Sequence, residues 1–366
     1  MPPRADHNEL LRYAALLEQA RQIKGVSLGR DAWRRLRRNG VAMASLGFLV
    51  ILALLALLTP LLPLQPPRHV DTARQHTHPQ LAPFWQPTPL IDETGDAVRN
   101  GFGRLDPVSS GLLALRLRLF GDWSIGSLAG TDSLGRDVLS RVFWGARISL
   151  LVGIVATLVS LVIGVSYGAV SGYFGGRMDN AMMRLVDILY SIPFIFVVIF
   201  LITVLSTPAI RDELENTWGI DRLTVFFFVV GAIYWLTMAR VVRGQVLSLK
   251  NEQFVEAART VGAGPMRIVF IHLVPNLLSI VIVYLTLTIP RVMLFEAFLS
   301  FLGLGVEAPD VSWGSLAAVG LESMTPVTTH WWLIFFPSLA LGMTLLALNL
   351  LGDGLRDALD PKLKNR

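Results

Sequence analysis

The 366-residue chain contains no cysteine, and only 16% of its residues are charged. Without cysteine there is no disulfide, no thiol nucleophile and no thiolate metal site. The scarcity of charge excludes an ordinary soluble domain, in which about a quarter of residues are charged. Two sequence devices of chemistry are also missing: the Gly-x-x-x-x-Gly-Lys-[Ser/Thr] loop that cradles nucleotide phosphates and the His-Glu-x-x-His metal helix. No catalytic centre is legible, so any ATP chemistry belongs to another chain. Basic residues are not interleaved with aromatics as single-strand binding requires, which sets nucleic acid aside as a partner. The histidines His69, His76 and His78 form a loose group without a carboxylate at ligand spacing, and no metal site is assigned to them.

What is abundant is apolar sequence. Hydrophobic residues make up 53% of the chain and the mean hydropathy is +0.55. A spanning helix needs about 20 apolar residues. Six stretches qualify: 41–62, 147–170, 182–205, 223–242, 277–299 and 331–351. The first follows some forty mostly polar residues and exceeds the roughly 7–15 residues of a signal core, so it reads as a spanning helix. The net charge of +5 reflects basic residues gathered beside these spans. With the N-terminus in the cytoplasm, 20 of the 32 lysines and arginines fall inside, 11 outside, and Arg291 lies within a span. Nine of the 11 sit in one long loop, where charge matters little. Both termini are therefore expected in the cytoplasm.

The expected organisation is a cytoplasmic segment 1–40, a first transmembrane helix 41–62 and a long outer loop 63–146. A five-helix transmembrane core 147–351 and a cytoplasmic tail 352–366 follow. The outer loop opens with a proline-rich stretch (Pro66, Pro67, Pro79, Pro83, Pro87, Pro89) that favours irregular backbone. Residues 110–120 form a short helix, either on the outer membrane surface or packed against the spans. Apolar spacing predicts an amphipathic helix over 9–23. Trp313, Trp331 and Trp332 fit an aromatic belt. Pro193, Pro290 and Pro337 are expected to kink spans three, five and six. Arg184 and Asp187, at i,i+3, form a candidate pair at the inner end of span three.

Between two spans lies the polar segment 251–276, NEQFVEAARTVGAGPMRIVFIHLVPN. Gly262 and Gly264 break a first helix, and Pro265 suits the first turn of a second. The alanines let a partner surface approach closely. Gly262 permits the backbone turn, and Glu256 and Arg259 place charges on one helix face. Two small helices on a polar loop between spans present a surface to another protein.

Glu256-Ala257-Ala258, then Gly262, then His272-Leu273-Val274-Pro275 resembles the EAA motif of ABC importer permeases. His272 and Val274 depart from its usual Ile and Leu, while the spacing from Gly262 to Pro275 is kept. Three more segments narrow the resemblance. They are Gly130-Thr131-Asp132-Ser133-Leu134-Gly135-Arg136-Asp137, where Thr131 or Asp132 is a candidate helix cap; Phe295-Glu296-Ala297-Phe298-Leu299-Ser300-Phe301-Leu302-Gly303-Leu304-Gly305; and Gly352-Asp353-Gly354-Leu355-Arg356-Asp357-Ala358-Leu359-Asp360-Pro361. Together they look like the C-type inner-membrane subunit of dipeptide and oligopeptide permeases, over about 34–62 and 130–362. The residues 63–129 lie outside the resemblance.

The resemblance implies an all-α membrane protein of six transmembrane helices in the bacterial inner membrane. It also implies a second homologous permease, two cytoplasmic ATPases that carry ATP and Mg, and an extracytoplasmic peptide-binding protein. Coupling helices over 255–260 and 266–273 would dock on the ATPases through Glu256, Ala257, Ala258, Arg259, Gly262, Pro265 and Pro275. The chain itself would hold no cofactor and no active site. Arg291 and Glu296 are candidate pathway residues. Arg291 either meets the carboxylate or carbonyls of a peptide or forms a structural pair at a subunit interface. An importer of nickel, glutathione or antimicrobial peptides is the nearest alternative. An ATP-independent channel or secondary transporter would need more polar residues or broken helices near the midplane.

Overall fold

The structure, a computed structural model, describes residues 28–87, 101–102, 105–205, 207–306, 308, 310–326 and 328–359. The helix expected over 9–23 and the end of the tail, with Asp360 and Pro361, lie outside the described residues.

A short basic helix α1 (Leu28–Arg38) leads to α2 (Gly40–Leu58), which Asn39 caps by accepting from the Ala42 amide. After an extended segment come β1 (Trp85–Pro87), α3 (Pro107–Phe120) and β2 (Trp123–Ile125), with β1 and β2 antiparallel. Helix α4 (Val138–Phe174) has 37 residues, about 55 Å at 1.5 Å per residue. That exceeds the roughly 30 Å of a hydrocarbon core. Asp137 caps it by accepting from the Ser140 amide. Then follow α5 (Gly176–Ser191), α6 (Phe194–Leu205), α7 (Pro208–Trp218) and α8 (Arg222–Leu249). The 251–276 loop supplies α9 (Gln253–Thr260) and the short turn α10 (Pro265–Arg267). A π-helical turn (Ile268–Leu273) leads into α11 (Val274–Phe301). The chain closes with α12 (Trp313–Glu322) and α13 (Trp332–Leu359).

Among the described residues, five helices are long and apolar enough to span a membrane, and the bent pair α5–α6 makes a sixth when counted as one span. The bend between α5 and α6 is 83° and falls at Ile192 and Pro193. Proline has no amide hydrogen to donate and restricts the residue before it, which ends α5. Pro290 and Pro337 sit inside continuous helices, so neither span is broken at its proline. The second span begins at Val138 rather than 147, because Asp137 supplies a cap upstream of the apolar run.

Helices α4 and α8 form the centre. A Cβ on Gly164 would lie 2.6 Å from Met238 Cβ, one on Gly168 2.3 Å from the Ala239 carbonyl oxygen, and one on Gly172 2.9 Å from the Arg243 carbonyl oxygen. Four-residue spacing aligns these glycines on one face. In a bilayer, where no water drives helices together, such close backbone approach is a main source of association. One core cluster (Val152, Ala156, Val198, Val230, Val292, Leu299) fills the space among α4, α6, α8 and α11. A second (Ala169, Val242, Val246, Val255, Ile268, Leu273) closes the end carrying the 251–276 loop.

At the far end, the segment Gly130–Asp137 is a charged hub. Asp132, buried, accepts from the amides of Leu134 and Arg136, from Arg136 Nε at 2.8 Å and from the Arg141 guanidinium. Thus Asp132 organises the loop and Asp137 caps α4, in place of the capping role expected for Thr131 or Asp132. Buried Thr131 accepts from the Thr77 amide and donates to the Arg74 carbonyl. Helix α3 packs on the last turn of the first span through Leu113 and Arg116; Arg116 donates to the Leu64 carbonyl at 2.7 Å. Burial pulls the Arg116 guanidinium down to about 10, still charged at neutral pH. Trp313 and Trp332 are not a membrane belt. Both are buried, donating to the Val142 and Thr131 carbonyls, and Trp331 alone of the three is exposed. His76 stacks on His330 with 3.9 Å between ring centroids, and His78 leans on Trp332.

Gly168→Leu is expected to destabilise the purified protein by at least the roughly 1–3 kcal/mol typical of overpacking, seen as a lowered melting temperature. Gly47→Leu, where nothing lies within 4 Å of the new Cβ, is the matched control and should melt unchanged.

Candidate functional site: a docking turn at the end of the bundle

Helix α9 stops where Gly262 adopts φ +87°. The Gly262 amide bonds to the Arg259 carbonyl at 2.9 Å, and the Ala263 amide to the Ala258 carbonyl at 3.0 Å. That is the Schellman arrangement, which needs a left-handed residue just past the helix. Ala258 and Ala263 pack in the same core cluster, supplying its usual apolar contact. Gly264, in ordinary extended backbone, precedes α10, with Pro265 in its first turn.

The second element differs from the expected separate helix over 266–273. The chain from Pro265 to Phe301 runs as one 37-residue helix. The π turn within it has a local cause. Pro275 offers no amide and its ring would collide with the carbonyl four residues back. Widening the turn relieves this, and the Val274 amide reaches five residues back to Val269. His272 is half-buried in this turn, and its carbonyl accepts from Asn276.

The turn is anchored from below and open above. Val255, Ile268, Val269 and Leu273 are buried against α4 and α8. Lys250 donates to the Gly172 carbonyl at 3.0 Å. Arg243 makes two 2.6 Å bonds to Asp179, which also accepts from Ser171. Glu256, Ala257, Arg259, Pro265 and Pro275 are exposed, and Ala258 is half-buried. Arg259 does not pair with Glu256; its guanidinium lies over the Tyr173 ring, 5.5 Å from the centroid. The sequence reading missed three exposed apolar residues here, Phe254, Met266 and Val261, the last 90% exposed. The signal was present: Val261 is an apolar residue immediately before a turn glycine, where burial is unavailable.

The candidate pathway residues part company. Arg291 is exposed and lines an apolar cavity of about 810 Å³ walled by Tyr234, Phe295, Phe298 and Leu321. Glu296 is 1% exposed and faces away from that cavity's lining. It accepts from Ser300 at 2.7 Å and from Ser312, the cap of α12, at 2.6 Å. Its position is that of a staple between α11 and α12. The pair expected between Arg184 and Asp187 is replaced by Asp187 with Arg240 at 2.7 Å, bridging α5 and α8. Among the described residues, no group of three histidines or carboxylates is placed to hold a metal. The spacing Gly-x-Ser-x-Gly does occur, at Gly164-Val165-Ser166-Tyr167-Gly168. It lies inside continuous α4, not at the strand-to-helix turn that exposes a nucleophile.

Long apolar helices thus meet an exposed turn that is seated on the bundle. The chain belongs to the ABC importer permeases. Residues 164–365 match the family described as binding-protein-dependent transport system inner membrane component. Residues 27–83 match the N-terminal TM domain of oligopeptide transport permease C. The chain is 40% identical to the dipeptide transport system permease protein DppC of Bacillus subtilis over 349 residues, 94% of this chain and 90% of the relative. It is 40% identical to the oligopeptide transport system permease protein OppC of Escherichia coli K12 over 341 residues, 93% of each. With OppC of Haemophilus influenzae it shares 46% over 250 residues, 66% of this chain and 75% of the relative. It is thus a multi-pass inner-membrane permease whose family works with ATPase and substrate-binding partners.

Asp179→Asn removes the charge from a doubly hydrogen-bonded pair. The expected cost is about 1.5–3 kcal/mol, read as a lower melting temperature and faster proteolysis within 251–276.

Proposed function

We propose that this permease carries dipeptides or oligopeptides, pairing with one homologous subunit, two ATPases and an extracytoplasmic peptide-binding protein. Peptide as cargo rests on the relatives named above. Both termini and the 251–276 turn face the cytoplasm, in keeping with the excess of lysine and arginine on that side. The segment between the first span and α4 then lies outside, followed by the transmembrane core. The chain performs no chemistry of its own; ATP and Mg act on the ATPases.

One observation carries the coupling mechanism. The turn that a partner can reach is fused underneath to α4, α8 and α11. Glu256, Ala257, Ala258, Arg259 and Val261 form the gripped surface, and Gly262 and Pro265 fix its shape. Pro275 sets the π turn that joins it to α11. A displacement at α9 is passed through Val255 and Ile268 into the bundle as a rigid-body movement. Arg291, a lone cation in an apolar cavity, is suited to meet a peptide carboxylate or carbonyl.

Gly262→Val and Glu256→Lys are expected to leave membrane insertion intact while uncoupling ATP hydrolysis from uptake. Peptide uptake and ATPase activity measured together in proteoliposomes check this, and normal uptake by both variants would sink the docking role. Arg291→Ala should reduce uptake or change the range of peptides accepted. Unchanged uptake across peptides of differing length would make Arg291 structural.

A further inference from the structure

A second cavity, of about 220 Å³, opens at the far end of the bundle, away from both the docking turn and Arg291. Its polar lining is Arg68, Asp106, Arg147, Asp310 and Trp144. The two ion pairs across it are loose. Arg147 to Asp106 and Arg68 to Asp310 are both 3.4 Å, well beyond the 2.7–2.9 Å of a good charge-assisted bond. Arg147 also donates to Ser109 at 2.7 Å and covers the Trp144 ring at 5.1 Å. The buried Trp144 indole nitrogen has no hydrogen-bond partner among the described residues. Burial raises the Asp310 carboxyl and Arg68 lowers it; hydrogen bonds from Ser109 lead in lowering that of Asp106. Two cations and two anions with spare capacity surround one small space.

The depth of this space is fixed by the first span. Thr59, just past the end of α2, lies 3.4 Å from the Phe143 carbonyl, which sets the end of the first span level with Phe143 of α4. Arg147 lies one helical turn further in, about 6 Å. Below it, on the same face of α4, Leu151, Ile154, Leu158 and Val162 are each about half exposed or more. Ile148, Leu151 and Leu223 carry the apolar floor of the cavity into that stripe. A polar mouth at the boundary continuing into an exposed apolar stripe has the shape of a phospholipid.

We infer that this cavity holds the headgroup of an outer-leaflet phosphatidylethanolamine. The phosphate lies on Arg147 and Arg68, the ammonium on Asp106 and Asp310, and an acyl chain along Leu151 and Ile154. The outer-leaflet assignment rests on the orientation given under Proposed function; the lipid site itself does not depend on the cargo. An anionic lipid leaves both carboxylates facing a net negative charge. A choline lipid has no N–H to give them.

The intact importer is incubated in detergent with equal amounts of phosphatidylethanolamine, phosphatidylglycerol and phosphatidylcholine. It is then stripped by detergent exchange, and the retained lipid is quantified by mass spectrometry. The native protein should retain phosphatidylethanolamine in excess. Arg147→Ala with Arg68→Ala should retain about tenfold less, the scale of losing charged hydrogen bonds. Arg147→Lys keeps the charge and should retain most of it. Asp106→Asn with Asp310→Asn should shift preference toward phosphatidylglycerol. Equal retention of the three lipids by the native protein overturns the proposal, whatever the variants do. So does displacement of the lipid by a dipeptide, which would assign the cavity to cargo. Because the chain has no cysteine, Leu151→Cys is a clean probe. Crosslinking there to the partner permease, in place of modification by a membrane-soluble thiol reagent, also overturns it.

Discussion

The contact between α4 and α8 along Gly164, Gly168 and Gly172 is the constraint on which the other features rest. Apolar side chains gain little by leaving lipid for protein, so spans need contacts that lipid cannot supply. Close backbone approach over about two helical turns is such a contact. It places the Arg243 carbonyl against Gly172, and so brings the end of α8 beside the turn from α4 into α5. Only with that geometry can Arg243 reach Asp179, Lys250 reach the Gly172 carbonyl and Val246 roof the pocket that receives Val255. The docking turn therefore inherits its position from glycines roughly 90 residues away in sequence.

Coupling follows from the same arrangement. A loop held only at its two ends would absorb a push as local flexing. Here α9 is held at its ends by α8 and by the helix running from Pro265 to Phe301, and beneath its middle by Val255. The Schellman closure at Gly262 removes the slack between them. Exposed Val261 on that closure offers a partner apolar area without loosening the seat. Under the proposed coupling, a partner reaches Glu256, Ala257 and Val261, while Val255 and half-buried Ala258 seat the turn on the bundle.

The sequence made legible whatever depends on local chemistry. Apolar run length located the spans, and Gly262 with Pro265 marked the break between α9 and α10, since left-handed φ and a first-turn proline are properties of single positions. Two readings failed because long-range packing decided them. Asp187 chose Arg240 across a helix interface over Arg184 on its own helix. Trp313 and Trp332 read as belt residues, but Trp313 is buried among the spans by Ala56, Ala146 and Met293 and Trp332 by the far-end loop at Ala129 and Thr131, and no sequence spacing reveals where that loop folds back. Pro193, by contrast, bends its span as expected. Gly262 was readable where the π turn was not, although Pro275 was its visible cause. A proline inside a helix signals a missing bond, and whether a kink, a break or a widened turn absorbs it depends on the neighbours.

The ionisable residues separate structure from function more sharply than burial does. Asp132 and Asp179 each collect several donors at good distance, and Glu296 has two serines; changing any of them would leave partners stranded. Arg291 and the pair Arg68 and Arg147 are different. Arg291 faces an apolar cavity without a carboxylate, and the other two stand 3.4 Å from theirs. A charge near hydrocarbon is costly to keep unless something meets it. Buried Glu296, Arg116 and Arg141 each keep a polar atom without a partner among the described residues, whereas Arg291, Arg68 and Arg147 line cavities. On the functions proposed above, the capacity left at those cavities receives cargo at Arg291 and lipid at Arg147.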